Sequence, residues 1–392
     1  MNPSPPASSA SSASSAPAAP SAASTASTAS TASTASTNGV GVGVGVGVGA
    51  GTGPRPIVLP ANQPRQFYRG GAAIAALRGV PPESEFGPED WVASTTTRFG
   101  QATDGLSTLP DGRLLRDAVA ADPTAWLGAE HVAVFGTSTA ILVKLLDAGQ
   151  RLPVHCHPSN TFAQAHFGSH FGKTEAWVVI GTSGADPRVH IGFRDDVEPA
   201  TLAGWVRDQN HDAMLGALNS TTVAPGDTVL IPAGLPHAIA GGVFIVELQQ
   251  PTDLSVTLEW DGFLADPAAG HLGIGFDTAL NCVDRAGWGD GRWESLVRHT
   301  GARIDQVVDL FDGSADGFFR AQRLQVREGV DLDASFAVLV VLNGSGRLAT
   351  EHGGTLDLRR GETLVVPHAA GLSSVEGEVT VVRCRPPAGS HD

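Results

Sequence analysis

The chain has 392 residues, with 25 Lys or Arg against 40 Asp or Glu and a formal net charge of −15. That acidic balance argues against nucleic acid as a partner, which calls for a basic face, and no uncharged apolar run reaches the ~18 residues of a membrane span. Three cysteines, Cys156, Cys282 and Cys384, form neither a CxxC pair nor a disulfide framework, so a reduced, cytoplasmic setting is expected.

The first 54 residues carry no charge. Ser-Thr-Ala triplets fill roughly 21–37 and Gly-Val repeats fill 39–48. Such a segment cannot bury enough apolar surface to offset the entropy of ordering, so a disordered tail is expected. It also lacks the basic start and apolar stretch of a signal peptide. The texture changes at Arg55 to a body long enough for two cores.

Along that body, Leu114–Ala121 has helical spacing and Pro123 is expected to end it. Ala176–Ile180 reads as a strand, and Ala200–Leu218 as a long helical stretch inserted between groups of strands. Thr228–Ile231, Val243–Leu248, Phe336–Leu342 and Thr363–Val366 are short, rich in Val and Ile, and bounded by Gly, Pro or Asp. A mainly β fold follows, as a sandwich or closed barrel.

Of the 13 histidines, His166, His170, His211, His299 and His391 read as surface or packing residues. Two places differ. His155 and His157 stand at i and i+2 of a strand, so both can face one cavity. His237 follows a strand and a Pro/Gly turn. Gly149-x5-His155-x-His157, then Gly226-x5-Pro232-x-Gly234-x2-His237, resembles the two motifs of the cupin superfamily. A cupin glutamate would follow the HxH closely, but the first suitable one is Glu175, in Phe171-Gly-Lys-Thr-Glu-Ala-Trp177. That displacement resembles the type I mannose-6-phosphate isomerase family. Ile231–Ile239, Phe244–Gln250 and Asp90-Trp91-Val-Ala-Ser94 are similar to further segments of that family, and the similarity spans about 55–385.

The resemblance implies a bicupin. A metal-binding barrel would occupy 55–275, with a helical insert at about 195–220. A connecting segment at 276–299, a second, metal-free barrel at 300–386 and a short tail at 387–392 would follow. It implies one divalent ion, zinc, held by His155, His157, Glu175 and His237, although the family usually has Gln at the first position. Imidazole and carboxylate donors by themselves suit several metals. It places the acid–base carboxylate at Glu247 and a sugar-facing cation at Lys173. The family arginine ten residues after that glutamate is Thr257 here, and Arg285 is the candidate to replace it; the family serine associated with phosphate is Pro153. The implied activity is aldose–ketose isomerisation of a sugar or sugar phosphate through an enediol. A 3-His-1-Glu oxygenase and a non-catalytic sugar-binding cupin are the alternatives. In the C-terminal part, Gly361-x5-Pro367 repeats half of the second motif, but no HxH accompanies it and His368 is off the ligand spacing. His352 and His368 are therefore expected in loops or packing.

Overall fold

The computed structural model describes residues 54–388 except Glu83, Asp290 and 300–305. The expected disordered tail, His391 and most of 387–392 lie outside the described residues. The described residues are mainly β, with 33% strand and 21% helix, and the sheets are antiparallel. Among the described residues, no helix is long and apolar enough to cross a membrane.

Two sheets frame the site. One has six strands, in the order Val297–Arg298, Thr228–Ile231, Glu175–Thr182, Val243–Gln249, Leu142–Asp147 and Glu89–Val92. The other has five, in the order Val256–Thr257, His155–Cys156, His237–Ile239, Arg188–Phe193 and Leu218–Thr222. Their inner faces meet in a core that includes Trp177, Val179, Ile245, Ile191 and Ile239. An eight-stranded sheet from the C-terminal part encloses its own core around Leu339, Val341, Leu364 and Val381.

The six-stranded sheet is buried on both faces. Val143, Leu145, Ala176, Val178, Val246 and Leu248 alternate with the inward set and join Val338, Val340, Val365 and Val382 of the eight-stranded sheet in one shared core. Burial on both sides is why its strands read as near-continuous apolar runs. The helical insert covers the outside of the five-stranded sheet, with Leu202, Val206 and Met214 packed on Cys156, Phe193 and Val256.

Several local expectations are adjusted by the chain's own caps and bulges. The helix expected at Leu114–Ala121 is Leu115–Ala121, and Pro123 begins another, Pro123–Leu127. Proline at a first helical position gives up an amide that has no partner there, and the Asp122 side chain accepts the Ala125 amide. The insert is two helices, Pro199–Asp208 and His211–Ala217, because Gln209 is left-handed at φ 48° and Asn210 caps the second. The strand expected at Phe336–Leu342 runs from Ala337 to Thr350; a bulge between Val341 and Asn343 carries it past a stretch that reads as a turn. Ile57–Leu59, assigned from sequence to the first barrel, pairs instead with Thr363–Val366 of the C-terminal sheet. His368 packs on Gly128, where a Cβ would lie 2.6 Å from its ring.

Leu145 is fully buried between the six- and eight-stranded sheets, on the face opposite the site. Leu145→Ala is expected to cost about 2–5 kcal/mol in urea unfolding while bound metal per chain stays unchanged.

Candidate metal centre and active site

One wall of the site comes from the six-stranded sheet. Registered partners place Trp91, Lys144, Glu247 and Trp177 side by side across four strands. Glu175, two residues before Trp177, shares that face. The other wall comes from the five-stranded sheet, where His155 pairs with both His237 and Thr257. His157 lies just past the end of its short strand. Glycines of the two motifs hold these segments. A Cβ on Gly149 would lie 2.7 Å from the Gly70 Cα. Gly234, at φ 89°, donates its amide to the His157 carbonyl at 2.6 Å.

The three imidazoles form a compact group, with ring centroids 5.0 Å apart for His155–His157, 4.2 Å for His155–His237 and 4.9 Å for His157–His237. Each has a backbone carbonyl at Nδ1: Pro153 at 2.8 Å from His155, Leu254 at 2.9 Å from His157 and Leu235 at 2.8 Å from His237. A carbonyl oxygen accepts and never donates, so the proton sits on each Nδ1 and the lone pair on each Nε2. The three histidines could hold a metal ion, their ligand atoms lying within 4.8 Å of one another. The Glu175 carboxylate closes the group, with Oε2 at 3.0 Å from His157 Nε2 and Oε1 at 3.3 Å from His237 Nε2. His237 Nε2 is buried and has no hydrogen-bond partner among the described residues. A buried lone pair aimed at other donors fits a cation.

The electrostatics favour neutral imidazoles and an ionised acid. Burial, then repulsion from His237 and His157, holds His155 well below the usual histidine range. Burial and the Lys173 ammonium bring His157 down to about 3. Burial alone would raise Glu175, but Lys173 at 2.9 Å and the neighbouring imidazoles outweigh it and keep its carboxyl well below the usual range. Trp177 Nε1 donates to Glu175 Oε1 at 3.0 Å, fixing the carboxylate.

Beside this group lies a cavity of about 320 Å³, onto which His155, Lys173, Glu175 and Glu247 open. His157 and His237 stand behind it, 1% and 0% exposed. Glu247 lies between two ammoniums, Lys173 at 3.6 Å and Lys144 at 3.8 Å. Burial and the negative charges of Glu175 and Glu89 oppose the pull of those ammoniums and push the Glu247 carboxyl up to about 8. Lys144 stacks 4.8 Å over Trp91 and reaches Glu89 at 3.4 Å. Burial disfavours its charge, but Glu247 and Glu89 more than compensate and raise its pKa. Glu89 in turn accepts from Tyr68 Oη, from Gln66 Nε2 at 2.9 Å and from Trp91 Nε1 at 2.6 Å.

No protein-family model matches the chain. The mannose-6-phosphate isomerase of Streptococcus mutans is 26% identical over 341 residues, which cover 83% of this chain and 97% of that protein. The crystal structure of the Bacillus subtilis mannose 6-phosphate isomerase has the same fold, with a TM-score of 0.66 at 21% identity, over 85% of this chain and all of that one. A mannose 6-phosphate isomerase solved with zinc and yttrium superposes with a TM-score of 0.63 at 15% identity, over 86% of this chain and 100% of that one. The chain is similar to mannose-6-phosphate isomerases over most of its length.

Of the side chains singled out from sequence, His155, His157, Glu175, His237, Lys173 and Glu247 come together. Arg285 does not. Its guanidinium donates to the Val197 carbonyl at 3.4 Å, because the surrounding loop is tied to 193–197: the Val197 amide donates to the Arg285 carbonyl at 2.9 Å and the Trp288 amide to the Phe193 carbonyl at 2.7 Å. Thr257 and Pro153 both line the cavity without supplying charge. The sequence reading missed Glu89, Lys144, Tyr68 and Arg98. Usage held a signal for two of them. Lys144 and Lys173 are the chain's two lysines and Tyr68 its single tyrosine, and all three line this cavity. Elsewhere the chain uses arginine as its cation. At the cavity it has, beside Arg98, two lysines, each a compact point charge. Glu89-Asp90-Trp91 also carries the Glu-x-Trp spacing one residue earlier than the segment compared.

Lys144→Met would leave Glu89 and Glu247 buried without their shared cation. It is expected to destabilise the fold by about 3–5 kcal/mol, measured by urea unfolding at neutral pH.

Proposed function

We propose that the protein is a zinc-dependent aldose–ketose isomerase that interconverts mannose 6-phosphate and fructose 6-phosphate, or a sugar of closely similar shape. His155, His157, His237 and Glu175 would hold the ion. Bound there, zinc supplies Lewis-acid polarisation of the sugar carbonyl. The remaining chemistry belongs to the chain. Glu247, with a carboxyl poised near neutrality, takes the proton from one carbon of the C1–C2 pair and returns it to the other through an enediol. Lys144 and Lys173 hold that carboxylate from both sides, and Lys173 stands between it and Glu175, within reach of the sugar oxygens. The buried aromatic walls of Trp91 and Trp177 exclude bulk water from the proton transfer. The observation that carries this reading is the convergence of three inward-facing Nε2 lone pairs, that of His157 also meeting the Lys173 ammonium at 3.1 Å, and one carboxylate beside a second, separately tuned carboxyl.

The two framing sheets are read as one cupin barrel over about 55–275, joined through 276–299 to a second barrel over about 300–386 that contributes cover and no ligand. Ile57–Leu59 is the exception, since it joins the second. A donor set of three histidines and one glutamate also suits a 3-His-1-Glu oxygenase. The ammonium–carboxyl–ammonium row of Lys144, Glu247 and Lys173 favours isomerisation, which needs a base beside the carbonyl.

His157→Ala and His237→Ala are each expected to reduce bound zinc from one equivalent per chain to a trace, with the far-UV circular dichroism retained. Glu247→Gln should keep its zinc and lose about 10²-fold or more in turnover. Assays of the zinc-loaded protein on mannose 6-phosphate, mannose and lyxose test the activity. Conversion of none of them, with oxygen consumption by the iron-loaded protein instead, overturns the isomerase reading in favour of the oxygenase.

A further inference from the structure

With Thr257 neutral and Arg285 turned away, the cavity still has three cationic side chains: Arg98, Lys144 and Lys173. The lysines are committed, Lys144 to Glu89 and Glu247, and Lys173 to Glu175 and Glu247. Arg98 differs. It sits in a turn after the Glu89–Val92 strand, where its amide donates to the Asp104 carbonyl at 2.8 Å. Its guanidinium meets the Asp104 carboxylate at 3.1 Å, with side chains 30% and 42% exposed. A pair this open to water is weak and can be drawn away. Its Nε is nonetheless buried and has no hydrogen-bond partner among the described residues. A buried donor without an acceptor is costly.

Arg98 also stands at a junction. Together with Phe99 and Asp253 it lines a second cavity, of about 470 Å³, that adjoins the first. The walls there add Arg116 and the hydroxyls of Thr95, Thr97, Ser138 and Ser169. Guanidinium nitrogens with several hydroxyl donors are the chemistry that recognises a phosphate. Besides Asp104 on the guanidinium, Asp253 lines both cavities, and its Oδ2 accepts the Phe99 amide at 3.0 Å. Burial raises its carboxyl, which weakens its opposition to a second anion. Arg98 is far more exposed than Glu247 or Glu175, each 2% exposed, so the junction lies at the opening of the cavity and the acid–base groups lie within it.

We propose that Arg98 receives the phosphate of the sugar phosphate at the junction of the two cavities, and so distinguishes a phosphorylated sugar from a free one. This takes over the phosphate contact left unfilled at Pro153 and rests on the isomerase reading above. The second cavity leaves room for the phosphate while the carbonyl end reaches Glu247.

The test is equilibrium binding of mannose 6-phosphate, mannose and inorganic phosphate to the zinc-loaded wild-type protein, Arg98→Ala and Arg98→Lys, by calorimetry, with turnover recorded separately. Wild type is expected to prefer mannose 6-phosphate over mannose by more than about 10-fold, and inorganic phosphate should compete for the site. Arg98→Ala should lose about 10-fold or more of that preference, the scale of one charge-assisted hydrogen bond, and Arg98→Lys should retain part of it. Thermal melting of each variant checks that the fold is intact. A wild type without the preference, or an Arg98→Ala protein that keeps it, overturns the assignment. A wild type that binds the phosphate through Arg98 yet converts no sugar leaves the assignment standing and removes the isomerase reading.

Discussion

Three backbone carbonyls, those of Pro153, Leu254 and Leu235, organise the centre of this protein. Each takes the Nδ1 proton of one histidine, and each thereby turns the opposite lone pair inward. Two of the three are reached two residues back along the same segment, so the short strands that carry His155 and His237 set their own ring orientation. The third comes from Leu254, on the loop after the strand that bears Glu247. The histidine group and Glu247 are therefore held by overlapping pieces of chain.

Around that group the charges interlock. Glu175 is kept ionised by Lys173, burial with Glu175 and Glu89 pushes Glu247 up against the pull of two ammoniums, and Lys144 is kept charged by Glu247 and Glu89. None of these groups would remain stable alone in a buried setting, since desolvation disfavours every one of them in its charged form. The six-stranded sheet makes the arrangement affordable by segregating its two faces: the row Trp91, Lys144, Glu247 and Trp177 looks into the cavity, while Val143, Leu145, Val246 and Leu248 look into an apolar core. Two carboxylates in one site are thus shifted in opposite directions by their different neighbours.

Much of the donor group was legible in the sequence because its spacing is local. An i, i+2 pair on a strand and a Gly/Pro turn before His237 have a direct geometric meaning, and Glu175 followed from the displaced motif. The cations were harder. Lys144 reads as a lone charge in an apolar strand, and its role appears only when the register sets it opposite Glu247. Arg98 carries no motif; a turn 155 residues ahead of Asp253 brings it to the opening. Arg285 was chosen by nearness along the chain, and hydrogen bonds to 193–197 hold it elsewhere. The pairing of Ile57–Leu59 with Thr363–Val366 was likewise invisible, since nothing local to either segment specifies a partner at the far end of the body.

That last pairing bears on how the protein is made. A ribosome releases the six-stranded sheet with all its donor residues before Val338, Val365 and Val382 exist, so the apolar back of that sheet emerges uncovered. The nascent chain then presents Val143, Leu145, Val246 and Leu248 to whatever holdase is at hand until the final segments arrive. Ile57–Leu59, near the start of the described body, must wait for Thr363–Val366 to find its edge. The C-terminal sheet thus acts as the closing cover of synthesis, and chains released early would be expected to clump.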